Sequence, residues 1–379
     1  MVKKRSSNNR VETLLYVVIF LVLFLSVINV FLISTRFSKI DEAKALMEEM
    51  LRPGNLEVTK IILSDCEDCY NIDLILEQLK EQNVNVTKEI TLTKEDAEEL
   101  ISTYSLDKLP VLFVKGEVNK SEQLLNFFND NGKVIDNSTA LFTKVNPPYY
   151  LINESKVVGR VSLTHIIDSL CENCTSLLSL TENLEALGVK ITNEKIIDYN
   201  SIEGNDLIVQ NNVSIIPAVI ISDEIDYYEE VMTQLSSLEL NKRNNLYTVH
   251  ALTPPYRNLT DNNIVGLVEV IAIIDKSCTL CYDVNQNKLI VKRLGVTINT
   301  EHNYDISSPE AQELMQKYNI TKVPMILLSP DASVYPTFLV AWKSVGVVED
   351  DGWFVMADPS LLGVYKDLIT NKVVSQTNE

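Results

Sequence analysis

Cysteine is the residue type in this 379-residue chain that most clearly could do chemistry. The six cysteines form three C-x-x-C motifs: Cys66 and Cys69, Cys171 and Cys174, and Cys278 and Cys281. Thiols three residues apart on a helix are neighbours, so each pair can close a short disulfide with little backbone movement. Such a disulfide can open again by exchange with another thiol. The spacing therefore indicates thiol–disulfide exchange as the candidate chemistry.

Two other uses of a C-x-x-C pair remain open. Two such pairs can form a Cys₄ zinc site, but three equivalent pairs would leave one over, and no histidine lies at ligand spacing. We therefore predict no metal and no other cofactor. The second alternative is a permanently oxidised pair that only braces the fold, since an oxidising compartment would keep such disulfides closed.

A second motif follows each cysteine pair at a nearly constant distance. An aliphatic residue and a proline precede an apolar run at Leu109-Pro110, Ile216-Pro217 and Val323-Pro324. The first cysteines are 105 and 107 residues apart, and both intervals between the prolines are 107 residues. If these X-Pro bonds are cis, they turn the preceding backbone outward beside the sulfurs, where a substrate chain could pair. These landmarks recur in one order and indicate three tandem repeats.

The residues around the motifs predict the elements that position them. We predict strands at 58–63, 161–167 and 268–274, each leading into a cysteine pair, and helices at 70–82, 176–187 and 282–294 after the pairs. A pair that opens a helix would have its first sulfur near free N–H groups that stabilise a thiolate. Strands that alternate with helices predict an α/β fold. A further helical stretch, such as 121–130, is an insertion in each repeat.

Taken together, these residues resemble the thioredoxin-like superfamily over essentially residues 56–379. The most specific stretch is 313–328, which contains Val323-Pro324. Tandem copies are similar to multi-domain protein disulfide isomerases and related disulfide oxidoreductases. The resemblance implies attacking thiols at Cys66, Cys171 and Cys278, resolving thiols at Cys69, Cys174 and Cys281, cis-prolines at Pro110, Pro217 and Pro324, and a substrate-binding loop that includes Leu109, Ile216 and Val323.

The residues near the cysteines depart from the family pattern. Six residues before each first cysteine, where thioredoxins often have a buried acid, stand Lys60, His165 and Ala272. The carboxylates nearest to the first pair in sequence are Asp65, Glu67 and Asp68. Like charge disfavours a thiolate. Cys171 has Glu172 and Asp168 nearby, whereas Cys278 has Lys276 upstream and uncharged residues inside its motif, with Asp275 and Asp283 farther off. We therefore predict that Cys278 is the most reactive thiol and Cys66 the least, with the first pair the more reducing.

The N-terminus carries a run of 20 mainly apolar residues, 14–33. At ~1.5 Å per residue this run spans the ~30 Å hydrocarbon core of a bilayer, so it predicts a transmembrane helix. The basic residues Lys3, Lys4, Arg5 and Arg10 precede it. By the positive-inside bias, residues 1–13 are cytoplasmic and the repeats lie outside a single-pass cell-membrane anchor. A cleaved signal peptide is the alternative, but its core is usually only ~7–15 residues long and no A-x-A-like site follows.

Residues 34–55 predict a helical stalk, with Ser38 as N-cap. Its apolar stripe consists of Ile40, Ala43, Met47 and Met50. A homodimer through a coiled coil is an alternative, but two heptads are fewer than that prediction needs, so a single spacer helix is favoured. The formal net charge is -19, and -22 without residues 1–13. Nucleic-acid binding needs basic surfaces, so the charge excludes that class of partner.

The predicted thioredoxin-like domains are 56–159, 160–266 and 267–379. We predict a membrane-anchored, extracytoplasmic thiol–disulfide oxidoreductase or isomerase. Its substrates would be exported proteins or peptides, and a redox partner that the sequence does not identify would recycle it. The alternative is a redox-inactive tandem binding or scaffold protein, in which the cysteines only brace the fold.

Overall fold

A computed structural model describes residues 8–236, 238 and 240–375 of the chain. The predicted cytoplasmic residues Lys3, Lys4 and Arg5 lie outside the described residues, as do residues 376–379 of the third predicted domain. The chain divides between Val157 and Val158 into two compact units. The first unit contains the first repeat, and the second unit contains the other two.

The first element is one long helix, α1 (Asn8–Leu51). The sequence predicts a span and a separate stalk helix, but the structure joins them, because neither proline nor glycine interrupts these residues. The side chains of residues 14–33 are exposed, and so are Ile40, Met47 and Met50. Within the described part of the chain, α1 is the one helix long and apolar enough to cross a membrane. A membrane anchor and a signal sequence share that property.

The first repeat forms a five-stranded mixed sheet and a small three-stranded sheet. Its elements are β1 (Gly54–Ile62), α2 (Asp73–Lys80), β2 (Val84–Thr93), α3 (Glu98–Tyr104), β3 (Lys108–Leu109), β4 (Val111–Gly116), α4 (Glu122–Asn131), β5 (Gly132–Asp136), β6 (Thr139–Phe142), β7 (Tyr149–Leu151) and β8 (Lys156–Val158). The large sheet has the order β2-β1-β4-β6-β5, in which only β1 and β2 are parallel. The small sheet has the order β3-β7-β8.

The large sheet is buried on both faces, which explains the continuous apolar run of β4. Leu112 and Val114 pack on one face with side chains of α2 and α4, among them Leu76 and Phe128. The alternate residues of β4 pack on the other face, against partly buried side chains of α3. The predicted insertion at 121–130 is therefore a core-covering helix, and its Ser121 accepts a capping hydrogen bond from the N–H of Leu124 at 3.1 Å.

The second repeat has the same order of elements. They are β9 (Val161–Ile167), α5 (Ser179–Ala186), β10 (Ile191–Asp198), α6 (Ile202–Asn211), β11 (Ile215–Ile216), β12 (Ala218–Ser222), α7 (Glu229–Leu235), β13 (Asn241–Arg243), β14 (Leu246–His250), β15 (Tyr256–Asn258) and β16 (Asn263–Val265). The sheets have the orders β10-β9-β12-β14-β13 and β11-β15-β16. The predicted strand at 161–167 coincides with β9.

The third repeat follows the pattern again. Its elements are β17 (Val268–Ile274), α8 (Asn285–Arg293), β18 (Ile298–Asp305), α9 (Pro309–Lys317), β19 (Lys322–Val323), β20 (Met325–Leu328), α10 (Pro336–Trp342), β21 (Gly346–Val348), β22 (Phe354–Met356), β23 (Tyr365–Asp367) and β24 (Lys372–Val374). The sheets have the orders β18-β17-β20-β22-β21 and β19-β23-β24. The predicted α/β class with three tandem domains is confirmed, and the boundaries 56–159, 160–266 and 267–379 stay predictions.

Candidate active sites

Each cysteine pair lies in the loop between the first strand and the first helix of its repeat. The structure closes the disulfides Cys66–Cys69, Cys171–Cys174 and Cys278–Cys281. The first cysteine comes four residues after the strand ends in every repeat. Each pair therefore closes on itself at the same edge of a five-stranded sheet.

The helices begin later than the sequence predicts. Their first residues are Asp73, Ser179 and Asn285, and the predicted starts at 70, 176 and 282 are each wrong by three residues. In each loop a polar side chain accepts a hydrogen bond from the N–H two residues on, and these acceptors are Asn71, Ser176 and Asp283. The cysteines therefore precede the helix rather than open it. Because the helix dipole falls off within one turn, it stabilises these thiolates less than the sequence implies.

The peptide bonds before Pro110, Pro217 and Pro324 are cis. In the first repeat, Pro110 lines a cavity of about 430 Å³ together with Cys66 and Cys69. In the second repeat, Pro217 lines a cavity of about 200 Å³ with Cys171 and Cys174. In the third repeat, the residue after the second cysteine, Tyr282, donates its hydroxyl to the carbonyl of Pro324 at 3.2 Å. The structure thus brings the two motifs together, and their roles in chemistry stay predictions.

The backbone before each proline is already paired within the chain. The strands β3, β11 and β19 pair antiparallel with β7, β15 and β23, which we call the covering strands. The residues directly opposite Leu109, Ile216 and Val323 are Tyr150, Arg257 and Lys366. The edge that the sequence predicts for a substrate chain is therefore occupied by the protein's own strand in all three repeats.

The covering strands are also bound to the cysteine loops. The residue that follows the second cysteine donates its backbone N–H to the carbonyl just before the covering strand, at 2.8 Å in each repeat. The donor and acceptor pairs are Tyr70 and Pro148, Thr175 and Pro255, and Tyr282 and Val364. One short strand thus links both halves of each candidate site.

Two buried ion pairs strengthen this link in the second and third repeats. The Asp168 carboxylate lies 2.7 Å from the Arg257 guanidinium, with side-chain exposures of 1% and 11%. The Asp275 carboxylate lies 2.5 Å from Lys366 Nζ. Burial raises the pKa of Asp275, but hydrogen bonds from Lys366 and Ser277 outweigh it, so the pKa lies below its ordinary value. Each aspartate stands three residues before the first cysteine, and each base lies on the covering strand.

Sequence reasoning missed these ion pairs. It treats the acids of the second and third repeats as charges near the thiols, whereas the structure neutralises each with a base 89 or 91 residues away. The signal was present as a recurring tyrosine followed by a basic residue, Tyr256-Arg257 and Tyr365-Lys366. In the first repeat the corresponding residues are Leu63 and Tyr150, which belong to an apolar cluster.

The first site has the most acidic surroundings close to sulfur. An oxygen of the Asp68 carboxylate lies 3.5 Å from Cys66 Sγ. Cys66 is buried, and the other five cysteines are half-buried. A thiolate at Cys66 would meet this carboxylate with little water between them, and both conditions disfavour the charged form.

The position six residues before each first cysteine does not carry a buried acid. Instead, each repeat pairs a glutamate of its second strand with a base, in the pairs Glu89 with Lys60, Glu194 with His165, and Glu301 with Lys288. Burial lowers the pKa of His165 and outweighs the opposing effect of Glu194. Hydrogen bonds to Glu89 and Asp73 raise the pKa of Lys60, which lines the cavity beside the first pair.

Among the residues that the structure describes, one group of side chains has metal-ligand spacing. It comprises Asp168, Cys171 and Cys174, whose donor atoms lie within 4.8 Å of one another. The two sulfurs are bonded to each other, and the carboxylate accepts hydrogen bonds from Arg257 Nε at 2.7 Å and from the Leu170 N–H at 3.1 Å. These donor atoms are therefore engaged within the protein, and the group does not fit a metal ion in this state.

No family model matches the chain, and no curated protein sequence matches it. Among solved structures, the AhpF component of the alkylhydroperoxide reductase from Enterococcus faecalis is 18% identical, and the match covers 45% of this chain and 82% of that one at a TM-score of 0.16. A protein disulfide oxidoreductase from Aeropyrum pernix is 17% identical over 45% and 77% of the two chains, at a TM-score of 0.14. Human ERp44 is 12% identical over 74% and 80%, at a TM-score of 0.14. TM-scores this low do not by themselves establish a shared fold or function.

The fold follows from the chain's own topology. In every repeat a C-x-x-C pair follows the first strand of a five-stranded mixed sheet, and a cis-proline precedes the strand paired antiparallel with it. This is the arrangement that the sequence resemblance implies. The three repeats therefore have a thioredoxin-like fold, each with a cysteine pair after its first strand.

Proposed function

We propose that this protein is a membrane-anchored thiol–disulfide oxidoreductase that acts outside the cytoplasm on disulfides of exported proteins. The observation that carries the proposal is the threefold placement of a cysteine pair beside a proline turn, twice around a defined cavity. The long apolar helix α1 supports the membrane anchor, since its exposed side chains need a nonaqueous or covered environment.

The exchange needs only the two sulfurs of one pair and a substrate disulfide. In the reduced site, the thiolate of the first cysteine attacks one substrate sulfur, and the other substrate sulfur leaves as a thiolate. The second cysteine then attacks the first cysteine's sulfur, which closes the protein disulfide and releases the remaining substrate thiolate. Two electrons pass to the substrate, whose thiolates take up two protons. A recycling dithiol must then reduce the site again, and the same steps reversed oxidise a substrate.

The three sites are proposed to differ in reactivity, with Cys278 the most reactive and Cys66 the least. The carboxylate 3.5 Å from Cys66 Sγ supports this order, because it opposes the thiolate. At the third site the nearby Asp275 is paired with Lys366, so its charge is offset. Alkylation rates measured against pH in single-site variants test the order, and a result with Cys66 fastest would contradict it.

The reduction potentials of the three pairs test the enzyme proposal itself. We expect at least the third pair to lie in the range of catalytic pairs, about -120 to -270 mV. The measurement uses full-length variants that keep one pair and carry serine at the other four cysteines. Insulin reduction by the same variants gives the activity, and the variant with all six cysteines replaced is the control. Potentials below about -300 mV at every site, without activity, would refute the proposal.

A redox-inactive binding or scaffold protein is the second candidate function. The observation that favours it is the occupied edge at all three prolines, together with three closed disulfides. Under this alternative the pairs only brace their loops, and their potentials would fall below about -300 mV.

Topology and anchoring need their own experiment. We expect protease added to intact cells to digest the three repeats and to leave the N-terminus protected. The mass of the purified protein separates an anchor from a cleaved signal sequence, since an anchored chain keeps residues 14–33. A released product that lacks these residues would contradict the anchor.

A further inference from the structure

We propose that a substrate chain can displace the covering strands β15 and β23 and then pair, in their place, with the backbone before the proline. Arg257 and Lys366 hold them in place and thereby act as positioning residues that decide substrate class. Small disulfides reach the sulfurs with the strand in place, whereas an extended polypeptide reacts only after the strand has left. This inference rests on the proposed thiol–disulfide exchange and adds the determinant of its specificity.

The backbone edge before each proline has room for one partner only. The Leu368 N–H donates to the Thr321 carbonyl at 2.8 Å, so these residues form a hydrogen-bonded pair of the antiparallel ladder. Such pairs alternate along a ladder, so Val323 and Lys366, two residues on, exchange both of their backbone hydrogen bonds. Leu259 and Ser214 give the same register for the second repeat. A substrate strand cannot pair with the residue before the proline while the covering strand is there.

In the second repeat the sulfurs have a separate approach. The cavity of about 200 Å³ beside Cys171 and Cys174 is lined by the first strand, the cysteine loop and the proline turn. A low-molecular-weight disulfide of a few heavy atoms fits a space of this size, and it needs no backbone pairing. An extended polypeptide gains its affinity from main-chain pairing at a strand edge, which the covering strand denies it.

An aspartate of each cysteine loop holds the covering strand in place. Asp168 accepts the Cys171 N–H at its backbone carbonyl, at 3.2 Å, and binds Arg257 through its carboxylate. Asp275 does the same for Cys278, at 3.0 Å, and for Lys366. The paired strand β11 or β19 is only two residues long. When the strand leaves, both charges regain water, which offsets most of the lost attraction. Displacement therefore needs a few backbone hydrogen bonds to be exchanged for those of a client, and it exposes Leu259 or Leu368, which packs against the core of its repeat.

The first repeat provides the contrast. There, Tyr150 takes the place of the base and packs with Leu63 in an apolar cluster. Displacing β7 would expose Tyr150 in addition to Ile152, the counterpart of Leu259 and Leu368, and this larger apolar surface resists contact with water. We therefore infer that the covering strand stays in place in the first repeat and moves in the other two.

A trapped adduct tests the proposal without turnover. In the full-length chain in detergent, Cys278 is kept and the other five cysteines are replaced by serine. Its thiolate attacks a peptide whose single central cysteine is joined in a disulfide to thionitrobenzoate. A new bond forms between Cys278 and the peptide sulfur, and thionitrobenzoate leaves as a coloured anion that reports the yield. The matched adduct carries 2-mercaptoethanol in place of the peptide.

Hydrogen exchange of the amides in 365–368 is the readout. We expect at least tenfold faster exchange in the peptide adduct than in the unmodified protein, and unchanged exchange in the 2-mercaptoethanol adduct. In the variant that keeps only Cys66, the ratio of the peptide reaction rate to the 2-mercaptoethanol disulfide reaction rate should be several-fold lower than at Cys278. Unchanged exchange in the Cys278 peptide adduct would overturn the proposal, and so would equal acceleration by both adducts.

The base itself is tested by substitution. Lys366→Met should raise, several-fold, the ratio of the peptide reaction rate to the 2-mercaptoethanol disulfide reaction rate. Asp275→Leu with Lys366→Tyr, which copies the first repeat, should lower that ratio below the parent's. A ratio that neither change moves would remove Lys366 from this role. If hydrogen exchange accelerates but no variant reduces insulin, the proposed enzyme activity is refuted and the displaceable strand is still supported. The enzyme proposal and the strand proposal can therefore fail separately.

Discussion

The first repeat and the two that follow it use different side chains where the cysteine loop meets the covering strand. Between the cysteine loop and the covering strand, the first repeat has Leu63 and Tyr150 in an apolar cluster. The second and third repeats have the buried pairs Asp168 with Arg257 and Asp275 with Lys366. The strand pairing is the same in all three. The fold therefore requires the backbone ladder at this junction and accepts either apolar packing or a neutralised ion pair beside it.

The charge next to the sulfurs differs as a consequence. In the later repeats the aspartate three residues before the first cysteine is buried and has a cationic partner, so its net effect on a thiolate is small. In the first repeat, the Asp68 carboxylate approaches Cys66 Sγ directly. Three copies of one fold can thus offer three thiols of different reactivity.

The first and third repeats also differ inside the core. The ninth residue after the first cysteine is Ile75 in the first repeat, Leu180 in the second and Asn287 in the third. Asn287 is buried, and its Oδ1 has no hydrogen-bond partner among the described residues. It lines a largely apolar cavity of about 210 Å³ with α10. The third core therefore adjoins an unfilled, largely apolar space.

The largest expected effect comes from removing one member of a buried ion pair. Arg257→Met leaves the Asp168 carboxylate buried without its cationic partner, with the Leu170 N–H still bound to it. We expect the second repeat to lose about 3–5 kcal/mol of unfolding free energy. Hydrogen exchange of its most protected amides measures that loss. Asp168→Leu with Arg257→Tyr copies the first repeat and should recover most of it. Equal losses in the single and double variants would show that the two arrangements are not interchangeable.

The next effect tests the core difference. Asn287→Leu removes a buried amide whose Oδ1 has no partner and whose Nδ2 donates to Met356 Sδ at 3.2 Å, and it fills part of the cavity. We therefore expect it to stabilise the third repeat by about 1–3 kcal/mol. Urea unfolding of the full-length protein provides the measurement. The reverse change in the first repeat, Ile75→Asn, is the matched control and should destabilise it. A destabilised Asn287→Leu variant would mean that the amide has a structural role that this packing argument misses.

A smaller effect concerns the thiol of the first site. Glu67→Gln with Asp68→Asn removes two carboxylates, and a decrease of about one pKa unit would raise the thiolate fraction of Cys66 near neutral pH about tenfold. Iodoacetamide alkylation of Cys66, followed against pH in a Cys69→Ser background, measures it. Asp283→Asn near Cys278 is the control, and we expect little change there. No acceleration at Cys66 would leave burial, rather than charge, as the cause of low reactivity.

The smallest effect is a pH dependence confined to the second repeat. Burial holds the pKa of His165 below its ordinary value, so the unfolded chain binds the proton more readily than the folded protein does. The stability of the second repeat should be fully present above the unfolded value of about 6.5 and should fall as pH drops through the lower folded value. Hydrogen exchange at several pH values measures this for each repeat.

His165→Ala, which copies Ala272 of the third repeat, is the control for that measurement. It should abolish this part of the pH dependence, whatever its effect on stability itself. A slope that persists in the variant would assign the pH dependence to another group.

Local patterns made a large part of this protein predictable. The apolar, β-branched runs predict β9 and β17 with the bounds that the structure has, because a strand buried on both faces needs an unbroken run of such residues. Cysteine and proline spacing predicted the two motifs that each candidate site brings together. The helix starts were wrong, because the side chains of Asn71, Ser176 and Asp283 accept the N–H two residues on and form a turn before each helix.

The sequence by itself determined the repeat, the cysteine pairs and the α/β class, since each depends on residue type and spacing within a short stretch. Only the tertiary structure decided which charges act on the sulfurs and whether the substrate edge is open. Asp168 and Arg257 are 89 residues apart, and a carboxylate counted as a repelling charge in the sequence becomes half of a buried pair once the covering strand folds back. Charge and strand pairing act through space, so proximity in the fold, rather than proximity along the chain, sets their effect.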